Sequence, residues 1–319
     1  MALDEFALIE TFFRRPAQAV GVRAGIGDDC ALLAVDPGCV LAITTDTLVA
    51  DVHFPAAAAA FDIGQRALRV NLSDLAAMGA APRWCLLALT LPAADPDWLV
   101  AFSAGLFAVA DAHGCALVGG DTTRGPLALT ITALGEVPVD AALRRCGARE
   151  GDLVFVTGEL GGAAAALAQM TEAGSHCAAD VDLNARYWYP EPRVREGIAL
   201  RGIASAAIDI SDGLVADLGH LARESGVGAE LELAALPLGA AAEARFGAAR
   251  ARAWALGGGD DYELCFTVPP ARLPALEAAV RAGSLRALPV GRLVAGTGVR
   301  VRDDAGQIFT PAASGYRHF

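Results

Sequence analysis

The sequence has no lysine: all 25 of its basic residues are arginines. That absence excludes a lysine Schiff base, a Gly-x-x-x-x-Gly-Lys-Ser/Thr phosphate loop and the ATP-pairing lysine of protein kinases. Charge is scarce too, at 19% of 319 residues, and it leans negative, with a formal net charge of −12. A general binder of nucleic acid or of an anionic membrane surface needs the opposite sign. Long apolar runs are missing. The longest stretch free of Asp, Glu and Arg is Trp98–Ala110, well short of the ~20 residues of a membrane span. The seven cysteines are odd in number and form no Cys-x-x-Cys pair. Reduced, mostly buried thiols in a reducing compartment are therefore expected, rather than a disulfide framework or a zinc site. The first residues, Met1-Ala2-Leu3-Asp4-Glu5-Phe6, are acidic where a secretory leader is basic, so a cytoplasmic chain is expected.

What is present is apolar residue in quantity, 54% of the chain. That is enough to bury the cores of two domains. In the first half, spacing predicts helices over 3–13, 61–79 and 95–114, and strands over 39–45, 84–91, 115–118 and 127–135. Asp95-Pro96 opens the third helix and Gly114 closes it, the expected cap, first-turn proline and terminal glycine. The pattern breaks over Pro138–Gly151, which places a domain boundary between residues 138 and 139. The second half, 139–319, reads as strands at 152–157, 206–210, 229–233, 262–268 and 287–293. Helices are expected from Gly161 and after Gly213, with Tyr187–Arg193 as a proline-stiffened loop. Strands and helices mix without strict alternation, which favours two α+β domains over a doubly wound sheet.

The informative feature is the placement of aspartate. Six short polar sites carry it: Gly27-Asp28-Asp29, Thr44-Thr45-Asp46-Thr47, Asn71-Leu72-Ser73-Asp74, Gly119-Gly120-Asp121-Thr122-Thr123, Asp209-Ile210-Ser211-Asp212-Gly213 and Gly259-Asp260-Asp261. Each alone reads as a turn or a helix cap. Asp74 fits that reading least, because it lies inside a helix, where aspartate is a poor former. If the six converge they need cations. Two like charges 4 Å apart repel by about 4 kcal/mol at an effective dielectric near 20, and a few such pairs rival the stability of a whole domain. Carboxylate and hydroxyl oxygens suit hard ions, and Mg²⁺ typically takes a few carboxylates plus substrate phosphates. A Mg²⁺–nucleotide site built without lysine follows, suited to phosphoryl transfer.

Taken together and in order, these motifs resemble those of the thiamine-monophosphate kinases. The resemblance extends to His53-Phe54, Asp261-Tyr262-Glu263-Leu264 and Gly315-Tyr316-Arg317-His318-Phe319, so it runs from about residue 3 to the end. It implies direct in-line transfer of the ATP γ-phosphate to thiamine monophosphate, giving thiamine diphosphate and ADP. It also implies the two-domain aminoimidazole ribonucleotide synthetase-like (PurM-like) fold, in a homodimer whose N-terminal domains share a β-barrel with ATP bound near the interface. Several Mg²⁺ ions are implied. Their ligands fall on Asp29, Thr44, Thr45, Asp46, Asp74, Asp121, Asp209 and Asp212, with Asp28 a weaker neighbour. Among these, Asp46, Asp121 and Asp212 are the implied catalytic groups. The nucleotide contacts fall on Gly120, Asp121, Arg145 and Ser211, and the thiamine end on His53, Asp261 and Tyr316. Arginine in place of lysine at the phosphates is chemically sound, as is an acid with an aromatic face opposite a cationic thiazolium. One position departs from the pattern: Asp260 stands where these kinases usually carry glutamate.

Three rival readings remain at this level. Another ATP-dependent enzyme of the same superfamily is one. Against it, selenophosphate synthetases expect an early Cys or selenocysteine and a lysine, and hydrogenase maturation factors a terminal cysteine. The second is a Mg²⁺-dependent phosphohydrolase, and the third a nucleotide-binding scaffold without turnover.

Overall fold

The computed structural model describes residues 4–15, 19–172, 180–310 and 315. The chain divides into two units, residues 1–75 with 80–140, and 76–79 with 141–319.

Unit 1 opens with α1 (Glu5–Leu8), capped by the Asp4 carboxylate and continued as a π-helical turn over Ile9–Phe13. A two-stranded pair follows, β1 (Val22–Ala24) and β2 (Leu32–Leu33). Then come β3 (Cys39–Val49), α2 (Ala60–Ala77), β4 (Ala81–Leu91), α3 (Pro96–His113), β5 (Ala116–Arg124) and β6 (Ala128–Pro138). The last four strands form one sheet in the order β3-β6-β4-β5. Only β4 and β5 run parallel, and the parallel pair needs the crossover that α3 supplies. As the sequence predicted, Asp95 caps α3 and Gly114 ends it in the left-handed region at φ 62°. Helices α2 and α3 pack backbone to backbone. A Cβ on Gly64 would stand 2.3 Å from the Phe102 carbonyl oxygen, and one on Gly105 2.1 Å from that of Phe61.

The sheet has two unlike faces. Leu48, Leu129, Ile131, Ala133, Cys85, Leu87 and Leu89 alternate onto one buried face. On the other, β1 and β2 cover only part of the surface, packing Val22 and Leu33 on Trp84, Val118 and Leu134. The Trp84 indole nitrogen donates to the Val20 carbonyl at 3.0 Å.

Unit 2 contains β7 (Leu153–Val156), α4 (Gly162–Glu172), α5 (Val181–Trp188), α6 (Val194–Ala199), β8 (Ala206–Asp209), α7 (Leu214–Ser225) and β9 (Gly228–Glu232). It continues with α8 (Ala240–Phe246), α9 (Ala248–Gly257), β10 (Leu264–Val268), α10 (Leu273–Arg281), β11 (Leu288–Val294), β12 (Val299–Arg302) and β13 (Ile308–Phe309). The seven strands order as β13-β12-β9-β11-β7-β10-β8, with β12 parallel to β9 and every other pair antiparallel. Alternation feeds two cores. Val154, Val156, Ile208 and Cys265 pack with Leu214, Leu218 and Leu221 of α7. Phe155, Ala207, Leu264 and Phe266 pack with Val194 and Leu276 on the opposite face. Both units are thus mixed α+β layers, as expected.

Three expectations need correction. Tyr187 and Trp188 belong to α5 and are buried, because their rings stack edge-to-face into the core, so the loop begins only at Tyr189. The strand expected to end at residue 118 runs on to Arg124, because β4 keeps pairing with it through Gly119, Gly120 and Asp121. Among the six described cysteines, Cys85, Cys115 and Cys265 are buried, but Cys30 and Cys146 are exposed; all six are free thiols.

Candidate active site

In unit 1 the site is built on the alternation of β3. Thr44 and Asp46 point to the side of α2, and Thr45 and Thr47 to the other. The Thr44 hydroxyl donates to Asp74 Oδ2 at 2.5 Å. One turn earlier on α2, Asn71 Oδ1 accepts the Asp46 backbone N–H at 3.2 Å, and its amide donates to the Ala67 carbonyl. Asp74 is thus a helix-interior aspartate because β3 supplies its partner. Burial, and then the neighbouring Asp74 charge, push the Asp46 carboxyl up to about 6. Loss of water and a like charge both disfavour ionisation.

On the opposite face, Thr45 Oγ1 meets Thr132 Oγ1 at 2.8 Å and donates to the Ile131 carbonyl, while Thr47 pairs with Thr130 at 2.8 Å. The Thr45 hydroxyl is therefore turned away from Asp46 and Asp74. The register extends that second row from Thr47 through Thr130 and Ala88 to Asp121. Asp46 and Asp121 consequently lie on opposite faces and three strands apart, about 14 Å at the usual strand spacing. Gly120 shares the row of Asp46, Ile131 and Leu87. Asp28 and Asp29 are exposed in the connection between β1 and β2. His53 closes a tight turn after β3, its Nδ1 accepting from the Val49 N–H at 3.0 Å and its own N–H donating to the Val49 carbonyl.

In unit 2, Asp209 ends β8 and is buried. Ser211, Asp212 and Gly213 form the turn into α7. That turn is gripped from two sides. The Ser211 carbonyl accepts the Asp260 N–H at 2.8 Å, and the Ile210 carbonyl the Tyr262 N–H at 2.8 Å. From the helix, Asp217 Oδ2 accepts the N–H groups of Asp212 and Gly213, both at 3.0 Å. Burial raises the Asp217 carboxyl to about 7 against the lowering effect of these bonds. Gly315 closes the turn's third side: at φ 74°, its added Cβ would stand 2.6 Å from the Asp212 carbonyl oxygen. Tyr316 lies outside the described residues.

Arg145 runs beside β8, in a segment whose Arg144 carbonyl accepts the Ala207 N–H. The Ser225 hydroxyl at the end of α7 donates to the Arg145 carbonyl at 3.0 Å. His220 on α7 reports its surroundings: burial and the charges of Arg223 and Arg145 lower its pKa, and Asp212 opposes them.

The loop Gly259–Tyr262 holds Asp261 between two left-handed residues, Asp260 at φ 69° and Tyr262 at φ 50°. A bulky residue at positive φ is a genuine outlier, and such strain collects at functional sites. Aspartate tolerates that region better than most residues do. The Tyr262 hydroxyl donates to Asp260 Oδ1 at 3.2 Å. Asp261 Oδ2 accepts the Gly161 N–H at 2.7 Å and Oδ1 the Ala163 N–H at 3.5 Å, at the start of α4. Desolvation outweighs those two bonds and pushes Asp261 up to about 8.

Next to it, buried Glu263 takes both arms of the Arg193 guanidinium, at 2.7 and 2.5 Å, and the Thr157 hydroxyl at 2.5 Å. Sequence reasoning named neither Asp217 nor the Thr157–Glu263–Arg193 group as site elements. An acid in the first turns of a helix is ordinary, so Asp217 gave no signal, and the ion pair joins residues seventy apart.

Among the described residues, no three His, Cys, Asp or Glu side chains stand together as a metal cage. Within unit 1 the chain brings Thr44, Asp46 and Asp74 together, and within unit 2 it sets Asp209 and Asp212 at the two ends of one turn.

Residues 27–137 match the family model of the AIR synthase related protein N-terminal domain, and residues 149–304 that of its C-terminal domain. Thiamine-monophosphate kinase of Salmonella typhimurium is 49% identical over 288 residues, 88% of this chain and 87% of that protein. The chain belongs to the thiamine-monophosphate kinase family. A crystal structure of the family member from Stenotrophomonas maltophilia K279a superposes with a TM-score of 0.83 at 48% identity, covering 89% of this chain and 92% of that one. AaThiL, complexed with AMPPCP and TMP, gives 0.78 at 32% identity, covering 90% and 89%. No helix among the described residues is long and apolar enough to cross a bilayer.

Proposed function

We infer that this chain is a thiamine-monophosphate kinase, transferring the γ-phosphate of ATP to thiamine monophosphate to give thiamine diphosphate and ADP. The observation that carries this reading is the 49% identity to a thiamine-monophosphate kinase over 88% of the chain, through both family domains. A homologue holding AMPPCP and TMP together supports the pair of substrates.

The donor set is all oxygen, which fits Mg²⁺. Thr44, Asp46 and Asp74 already stand together, with the Asp46 carboxyl raised by burial and by the Asp74 charge. Asp29, Asp121, Asp209 and Asp212 are the further proposed ligands, and Thr45 is proposed to contribute through its backbone, its hydroxyl lying on the opposite face of the sheet against Thr132 and the Ile131 carbonyl. Bound there, Mg²⁺ neutralises polyphosphate charge and screens the two phosphates from one another. The protein's own part is placement. Gly120, Asp121, Arg145 and Ser211 are proposed to seat the nucleotide, with arginine supplying the fixed cation in a chain without lysine. His53, Asp261 and Tyr316 are proposed to receive the thiamine end. No general base is needed: a phosphate monoester has a second pKa of about 6 and is already a dianion near neutrality.

A homodimer is part of this reading. Leu41 is 38% and Ile43 62% exposed on the sheet face that β1 and β2 leave open, beside the threonine rows of β3 and β6. A second copy covering that face would close a barrel and remove the β3 edge. A cytoplasmic location is proposed from the six free thiols. ADP release measured with and without thiamine monophosphate tests the whole. Dependence on that acceptor is expected; release regardless of it would indicate a phosphohydrolase.

A further inference from the structure

Asp217 is a carboxylate where an apolar residue would be ordinary. It lies between Leu214, Leu218 and Leu221 on the buried side of α7 and is 3% exposed. A carboxylate buried there costs free energy unless it is hydrogen-bonded. It does not act as a usual helix cap. Caps sit at the residue before the helix, which here is Gly213 and carries no side chain. Asp217 is the fourth residue of α7, and its Oδ2 reaches backwards to the N–H groups of Asp212 and Gly213, outside the helix. The carboxylate thus serves the turn rather than the helix. With the Ser211 carbonyl held by the Asp260 N–H, both peptide planes of the turn are oriented by hydrogen bonds.

We propose that Asp217 is a positioning residue: it fixes the Ser211–Asp212–Gly213 turn so that Ser211 and Asp212 meet the nucleotide and its metal in one geometry. The proposal deepens the kinase reading and rests on it for the turn's role. Its structural half, the ordering of the turn, stands independently.

The test uses the full-length protein and three variants. Asp217→Asn keeps an acceptor oxygen at the same reach, Asp217→Ala removes it, and Asp217→Glu displaces it by one methylene. Amide hydrogen exchange at Asp212 and Gly213 is followed without ligand. Binding of a non-hydrolysable ATP analogue with Mg²⁺ is measured by calorimetry, and KM for thiamine monophosphate by steady-state assay. In Asp217→Ala, exchange at both amides accelerates and nucleotide affinity falls by about tenfold or more. KM for thiamine monophosphate moves less than about twofold. Asp217→Asn restores slow exchange and most of the affinity. If the alanine variant does not fold, Asp217→Glu shows the same split at about threefold. The proposal is overturned by faster exchange with unchanged nucleotide affinity, by equal weakening of both substrates, or by an Asn variant no better than Ala or Glu. Exchange and analogue binding are read without turnover. A wild-type protein inactive on thiamine monophosphate would therefore refute the kinase reading and leave the ordering of the turn measurable.

Discussion

Thr44 on a sheet edge donates its hydroxyl to Asp74 in the last turn of α2, and this one bond joins two motifs thirty residues apart. It also holds Asp74 near Asp46, whose carboxyl is raised to about 6 by burial and by that neighbour. A pair of acids arranged this way is costly without a cation and useful with one.

The first prediction concerns that pair. Asp46→Asn keeps the shape and removes one charge. Turnover falls by about 10²-fold or more, the scale seen when a preorganised electrostatic group is removed. The Mg²⁺-free variant melts at or slightly above the wild-type temperature, because a like-charge contact is gone. Thermal unfolding with and without Mg²⁺, beside an activity assay, checks both. Near-normal activity would remove Asp46 from the metal site.

Asp261 gives a pH dependence with a definite sign. Its carboxyl is held up to about 8 in the folded chain, against about 3.9 in an unfolded one. Between those values the unfolded state ionises and the native state does not. Its contribution to stability is therefore lost progressively as pH rises from about 4 to about 8, and is constant above. Asp261→Asn removes that slope, so wild type and variant diverge with rising pH in urea titrations. A cationic thiazolium opposite Asp261 favours the ionised form. Thiamine monophosphate binding at pH 7 then releases a proton, read as a buffer-dependent calorimetric enthalpy. Parallel stability curves, or binding without proton release, would contradict the assignment.

The Glu263–Arg193 pair is structural. Glu263 is 3% exposed and carries two bonds from Arg193 and one from Thr157. Truncation of one partner strands the other, so Glu263→Ala loses about 3–5 kcal/mol of stability. The double variant Glu263→Met, Arg193→Met loses much less than the sum of the singles. Urea unfolding of the four proteins decides it; additive losses would mean the two side chains act independently.

The sequence announced the fold through local signals. Asp95, Pro96 and Gly114 bounded α3 because caps and breakers act within one turn. Asp74 was flagged by its own poor fit in a helix. What stayed illegible depended on distant partners. Nothing local shows that Glu263 meets Arg193, that Asp217 turns back to Gly213, or which partners Thr44 and Thr45 find on their opposite faces, Asp74 and Thr132. The strand through Gly119–Asp121 read as a turn because glycine is a turn former, and pairing with β4 overrode that preference.

The central claim is tested most directly by following the phosphorus atoms. Purified protein is incubated with ATP, Mg²⁺ and thiamine monophosphate and observed by ³¹P NMR. The account predicts thiamine diphosphate and ADP appearing in equal amounts, with no inorganic phosphate. Inorganic phosphate appearing in step with ADP, and thiamine monophosphate left unchanged, would contradict it.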